Sequence, residues 1–310
     1  MNPTFLRIRQ MAAHDLDFAD DLRAAVGWNQ TREDWLRFLA AAPEGCFLAE
    51  ADGVPVGTAT TIRYGVDLAW IGMVLVRPEW RRRGVGGALL DRCLESLRAA
   101  GVRWIRLDAT PLGRPVYARL GFRAEFDLTR WEAAKGLVSA TIDTGNLPPG
   151  WRRWEAGDGA RVAALDQQAF GASRPDFLEN LGLVSSAGWV VTRPGGAPEA
   201  YGLMRPGARA WYLGPVVASD PRVGLQLVQA LLSGSRNAAV FWDLPDFQAE
   251  AAQWAESQGF RRQRTLTRMV MDPRGASRVA DSATVASPSP APAPAPEITW
   301  QMAISGPETG

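Results

Sequence analysis

A chain of 310 residues with 46% hydrophobic side chains is long enough for two ordinary domains with separate cores. Its formal charge of +1 supplies no whole-protein field to gather nucleic acid or an anionic membrane, so any anion site must be local. Two cysteines without CxxC or Cys/His spacing and a single histidine, His14, argue against a disulfide scaffold and a metal centre, and against a Ser/His/Asp triad unless His14 serves.

The opening MNPTFLRIRQ lacks the basic flank and apolar core of a leader, and no apolar run approaches the ~18 residues of a membrane span. A soluble, cytoplasmic chain is expected. Further on, Phe47 to Glu50 and Pro55 to Arg63 alternate as paired strands around the Asp52-Gly53 turn, and Leu68 to Val76 is apolar enough for a central strand. Arg83 to Ala100 carries apolar residues at helical spacing (Val85, Leu89, Leu90, Leu94, Leu97) and stops at Gly101. Arg103 to Leu107 is a strand, and Arg114 to Leu120 a helix ended by Gly121.

The chain then repeats itself. Gly121-Phe122-Arg123 with Leu128-Thr129-Arg130 returns 138 positions later as Gly259-Phe260-Arg261 with Leu266-Thr267-Arg268. Trp28, Arg32, Asp34 and Trp35 match Phe170, Arg174, Asp176 and Phe177, and Ala69-Trp70 matches Ala210-Trp211, each before an apolar run. A mixed α/β fold in two tandem copies is expected, one over residues 1–142 and one over 150–273. Asp143 to Gly150 reads as a hinge. Residues 274–310 run into SPSPAPAPAPE and read as a disordered, extended tail, with some strand character only from Ile298 to Ile304.

Chemistry concentrates in Val74-Leu75-Val76-Arg77-Pro78-Glu79-Trp80-Arg81-Arg82-Arg83-Gly84-Val85-Gly86-Gly87. A buried strand runs into a glycine-rich turn that opens a helix, so backbone amides and the positive helix end converge on one anion beyond the strand. GxxxxGK[ST] needs a lysine that is absent here, and GxGxxG would need glycine where Leu89 stands. The segment resembles the GNAT superfamily of N-acetyltransferases, whose pattern [R/Q]xxGx[G/A] is met by Arg81, Gly84 and Gly86. LDATPLGRPVYARLGF, from Leu107 to Phe122, is similar to the closing segment of that family.

The resemblance implies a GNAT fold in each copy, with acetyl-CoA as cosubstrate and a primary amine, most simply a small molecule, as acceptor. It implies that the backbone of Val74, Leu75 and Val76 pairs with the pantetheine arm, and that Arg81, Arg82, Arg83, Gly84, Val85, Gly86 and Gly87 hold the diphosphate. It also implies that Tyr117 protonates the departing sulfur. Family members often carry a glutamate on the strand before the loop, but Trp70 to Val76 holds no carboxylate. Asp108, Asp67 and His14 are the candidate bases, with Asp108, acting through water, taken forward.

The second copy lacks RxxGxG and has Trp254 rather than tyrosine near its turn, which points to lost transfer chemistry. Tyr201 and Arg205 are expected to line the acceptor pocket, whereas the repeated Arg174 and Asp176 read as structural. Neither cysteine is placed to be a nucleophile. Two other readings stay open, an acyl-CoA-binding sensor or assembly module without turnover and an acyltransferase with another acyl donor or a hydroxyl acceptor. A monomer or homodimer without a metal is expected.

Overall fold

The structure, a computed structural model, describes residues 5–136, 142, 145–235, 238–273 and 300–306. Contacts divide it into two compact units. Among the described residues, the first gathers those up to Arg123 with residues 269–273, and the second gathers Ala124–Arg268 with residues 300–306.

In the first unit β1 (Leu6–Gln10), β2 (Cys46–Ala51), β3 (Val54–Tyr64) and β4 (Leu68–Val76) form antiparallel pairs in chain order. The turn between β2 and β3 places Asp52 and Gly53 at φ 50° and 81°, the left-handed conformations that an Asp-Gly hairpin requires. Two helices, α1 (Leu16–Ala25) and α2 (Arg32–Ala41), precede β2. After β4 come α3 (Val85–Ala99), β5 (Trp104–Ala109), which lies parallel to β4, and α4 (Arg114–Arg119).

Helix α3 buries Val85, Leu89, Leu90, Cys93, Leu94 and Leu97 against Phe47, Ala59, Ile71, Ile105 and Leu107. This is the stripe that its spacing foretells. Met269 and Met271 complete the same core.

The second unit opens with β6 (Arg123–Ala133), followed by β7 (Trp151–Arg153), α5 (Asp158–Arg161), α6 (Ala163–Phe170), α7 (Pro175–Val184), β8 (Ala187–Thr192), β9 (Pro198–Arg205) and β10 (Trp211–Ala218). It continues with α8 (Pro221–Leu232), β11 (Val240–Pro245), α9 (Ala249–Ser257), β12 (Arg261–Met271) and β13 (Gln301–Ala303). β7 to β10 pair antiparallel in order, β11 runs parallel to β10, and β6 lies antiparallel to β11. Both units are therefore mixed α/β structures. The contacts divide the chain at Arg123 and Met269, whereas the sequence repeat turns over near residue 142.

The repeat extends to side-chain detail. Arg9 on β1 grips Asp15 with two bonds of 2.7 Å, and the same carboxylate accepts the Ala12 amide at 2.8 Å. Arg152 on β7 grips Asp158 at 2.6 and 2.7 Å, and that carboxylate accepts the Glu155 amide at 2.8 Å. Burial, the largest single influence, raises the pKa of each carboxyl, but the arginine and the backbone amide bonded to it together hold both below the usual range.

Residues 274–299, including SPSPAPAPAPE, lie outside the described residues, as do Asp143 and Thr144 of the expected hinge. Beyond them the chain departs from the expected tail. β13 pairs with β10, and Met302, Ala303 and Ile304 are buried, because these apolar side chains gain more from the core than from water. Among the described residues no helix is long and apolar enough to cross a membrane.

Candidate functional site

Strands β4 and β5 pair over Leu68↔Trp104, Ala69↔Ile105 and Trp70↔Arg106, and no further. From Ile71 on, β4 keeps β3 as its partner but leaves β5. A register shift occurs here, with Met73 at φ 51°, a conformation that a non-glycine residue adopts at a cost of roughly 1–2 kcal/mol. The Thr58 hydroxyl on β3 donates to the Met73 carbonyl at 2.9 Å and holds the bulge. Neither Met73 nor Thr58 was singled out from sequence, and the one available signal was Gly72, a glycine inside an otherwise apolar strand.

The diverging half of β4 carries Val74, Leu75 and Val76 and leads through Pro78–Trp80 to α3. The Arg81 Nε donates to the Val76 carbonyl at 3.2 Å and closes the turn. Arg82 and the capping Gly84 both have positive φ, 59° and 83°, which swings the chain into the helix. Arg81, Arg82, Arg83 and Gly84 are exposed, and the Arg83 guanidinium stacks 5.1 Å from the Trp80 ring.

The mouth of α3 is open. A Cβ built on Gly84 or Gly87 meets no protein atom within 4 Å, and one on Gly86 meets only Val76 Cγ2 at 3.8 Å. The first-turn amides of a helix have no carbonyl partner inside it, so Val85, Gly86 and Gly87 present donors at the positive end of the dipole. With three exposed guanidinium groups beside them, a diphosphate fits both the space and the charge.

Tyr117 lies on α4, half-buried, with its ring 6.0 Å from that of Phe122. A Cβ at Gly113 would stand 2.8 Å from the ring, so glycine there makes room for the tyrosine. Burial first, and then the neighbouring Cys93 thiol, push the phenol up to about 12. The hydroxyl therefore remains a proton donor throughout the neutral range.

Asp108 sits on β5 beyond the last pair with β4. Ile105, Leu107 and Ala109 join the α3 core, so by strand alternation Asp108 is on the opposite face. Asp67 lies in the turn before β4, at the closed end of the strand pair, and is bound to Arg103 at 3.0 Å. His14 is 75% exposed near Asp15. Burial pushes the Cys46 thiol up to about 12 and the Cys93 thiol still higher, so both stay protonated.

Tyr201 and Arg205 differ from the pocket-lining role expected of them. Tyr201 is wholly buried, with its hydroxyl donating to Asp166, and its pKa is raised by burial and then by that carboxylate. Arg205 is buried and donates to the Gly214 carbonyl at 3.1 Å and to the Ser305 carbonyl at 2.8 Å. Arg174 grips Asp166 at 2.8 and 2.9 Å, a structural pair, though not with Asp176.

A model described as "Acetyltransferase (GNAT) family" matches residues 13–122, and one described as "Acetyltransferase (GNAT) domain" matches residues 162–281. The uncharacterized N-acetyltransferase YitH of Bacillus subtilis is 26% identical over 211 residues, 68% of this chain and 72% of that protein. A putative acetyltransferase from Pyrococcus horikoshii, known as a crystal structure, aligns over 100% of this chain and 98% of its own with a TM-score of 0.74 and 24% identity. A tandem GNAT protein from the clavulanic acid biosynthesis pathway aligns over 87% of this chain and 99% of its own, with a TM-score of 0.61 and 17% identity.

Proposed function

Since the chain belongs to the GNAT acetyltransferase family and is an acyltransferase with two GNAT domains in tandem, we propose that its first unit moves an acetyl group from acetyl-CoA to a primary amine. One observation carries the reading: a glycine-rich helix mouth, where a Cβ added at Gly84 or Gly87 would project into open space, lies beyond the end of a strand that has left its parallel neighbour.

The bound thioester supplies an activated acetyl group with a thiolate leaving group. The amides of Val85, Gly86 and Gly87, with Arg81, Arg82 and Arg83, hold the diphosphate. The free edge of β4 at Val74, Leu75 and Val76 orients the pantetheine arm by strand-like pairing. The bulge at Met73, whose carbonyl accepts the Thr58 hydroxyl, lies on the stretch of β4 that no longer pairs with β5.

Tyr117 gives its phenolic proton to the departing sulfur. A phenol at about 12 is a weak acid beside a free thiol near 8.5, but a thiolate forming in the same desolvated surroundings is itself more basic than in water, which narrows the gap. An alkyl ammonium of pKa about 10 is only about one part in a thousand neutral at pH 7, equivalent to about 4 kcal/mol without a base. Asp108, beyond the point of divergence, takes that proton through water. Attack is direct, since neither protonated, buried cysteine is a competent nucleophile.

Incubation with acetyl-CoA and a panel of small primary amines, followed by measurement of free thiol, tests the reading. Amine-dependent thiol release with a stoichiometric N-acetyl product is expected. Thiol release that no amine accelerates would remove the amine acceptor.

A further inference from the structure

The second unit repeats the geometry of divergence, with an occupant. β10 and β11 pair in parallel over Trp211↔Val240, Tyr212↔Phe241 and Leu213↔Trp242, and then part. β13 enters beside the freed half of β10, antiparallel, with Val216 opposite Ala303 and Val217 opposite Gln301. On its other side it is tied to β11, where the Ile304 amide donates to the Asp243 carbonyl at 3.3 Å and the Trp242 indole donates to the Met302 carbonyl at 2.7 Å.

Side chains fix the segment at both ends. Gln248 donates to the Gln301 carbonyl at 3.0 Å, and Gln301 donates to the Ala169 carbonyl at 2.9 Å. Arg205 donates to the Ser305 carbonyl at 2.8 Å, and Arg174 to the Ser305 hydroxyl at 2.9 Å. Two glycines make the room: a Cβ on Gly214 would stand 2.0 Å from the Ile304 carbonyl oxygen, and one on Gly224 would stand 2.7 Å from Met302. All five residues from Gln301 to Ser305 are buried.

We propose that residues Gln301–Ser305 are a tethered peptide ligand of the second unit, sealing the slot between β10 and β11 so that the chain binds a single acyl-CoA. The assignment of a cofactor slot to the first unit rests on the function proposed above. The seal itself rests on contacts within the second unit. The mouth of α8 fits a sealed slot as well. Asp220 caps it with its own carboxylate, which accepts the Arg222 amide at 2.7 Å, and Pro221 contributes no amide hydrogen. A diphosphate would meet a negative charge there, where the mouth of α3 has open glycines. Met302 also lines a 450 Å³ cleft together with residues of α8 and the start of α9.

Hydrogen exchange on the full chain, with and without saturating coenzyme A, tests the proposal. Amides in the peptide spanning 301–305 should exchange ~100-fold or more slowly than in an unstructured chain, unchanged by coenzyme A. Calorimetry should give one equivalent bound. Met302→Asp should speed exchange in β10 and α8 but create no second site, because Asp220 still closes the mouth of α8 to a diphosphate. Unprotected exchange at 301–305, faster exchange there on adding coenzyme A, a second equivalent bound, or unaltered exchange in β10 and α8 of the variant would each overturn it. If instead residues 81–87 gain no protection from coenzyme A, the first-unit reading fails while protection at 301–305 still reports on the seal.

Discussion

Tyr117 is half-buried against Phe122, and its phenol is held neutral well past the ordinary range. Tyr117→Phe should lower kcat by ~100-fold or more, within the span of lost general-acid catalysis, while the Kd for coenzyme A stays within about twofold. Steady-state kinetics and calorimetry separate the two. The sign of the pH effect follows from the raised pKa: the proton-bearing form is the active one, so activity should show no alkaline decline due to Tyr117 until pH nears 12, and a descending limb near pH 10 would count against it. Cys93→Ala should cost about 1 kcal/mol of packing and leave turnover intact, as judged by Tm and kcat. Sequence carried Tyr117 through its place before Leu120-Gly121-Phe122, but Thr58 was not legible, because a hydroxyl donating across to a bulged carbonyl is a pairing that no local pattern encodes.

At the scale of elements, α3 and its turn were legible because periodicity and glycine placement are local properties. Gly86→Val tests the turn. Its Cβ position meets only Val76 at 3.8 Å, so Tm should change by less than about 3 °C, equivalent to under ~1 kcal/mol. The branched side chain would stand in the helix mouth, and affinity for coenzyme A should fall roughly tenfold or more, by calorimetry. β13 was legible only as a hint of strand at Ile298 to Ile304. Its partner is β10, more than eighty residues upstream, and strand character alone does not say which ladder a segment joins. Tyr201 and Arg205 were misplaced for the same reason. Polar residues without a repeat twin read as pocket candidates, yet they bind Asp166 and Ser305 inside the second unit.

Across the whole molecule, the duplication was plain in sequence, and the paired grips of Arg9 on Asp15 and of Arg152 on Asp158 carry it to the side chains. The contact boundaries were not legible, since β6 and the last residues of β12 are placed by non-local pairing. The second unit carries buried ion pairs, Arg174 with Asp166 and Arg130 with Asp243. Removing one partner leaves an uncompensated buried charge, so Asp166→Ala should cost about 3–5 kcal/mol, read as a fall in denaturation midpoint. The central claim is that main-chain amides at the mouth of α3 hold a diphosphate. The most direct test is calorimetric titration of the full chain with coenzyme A and, separately, with pantetheine, which lacks the diphosphate together with the phosphorylated adenosine it carries. Coenzyme A should bind at one equivalent and at least ~100-fold more tightly than pantetheine, a difference of about 2.7 kcal/mol. Equal affinities, or no saturable binding of coenzyme A, would contradict the claim.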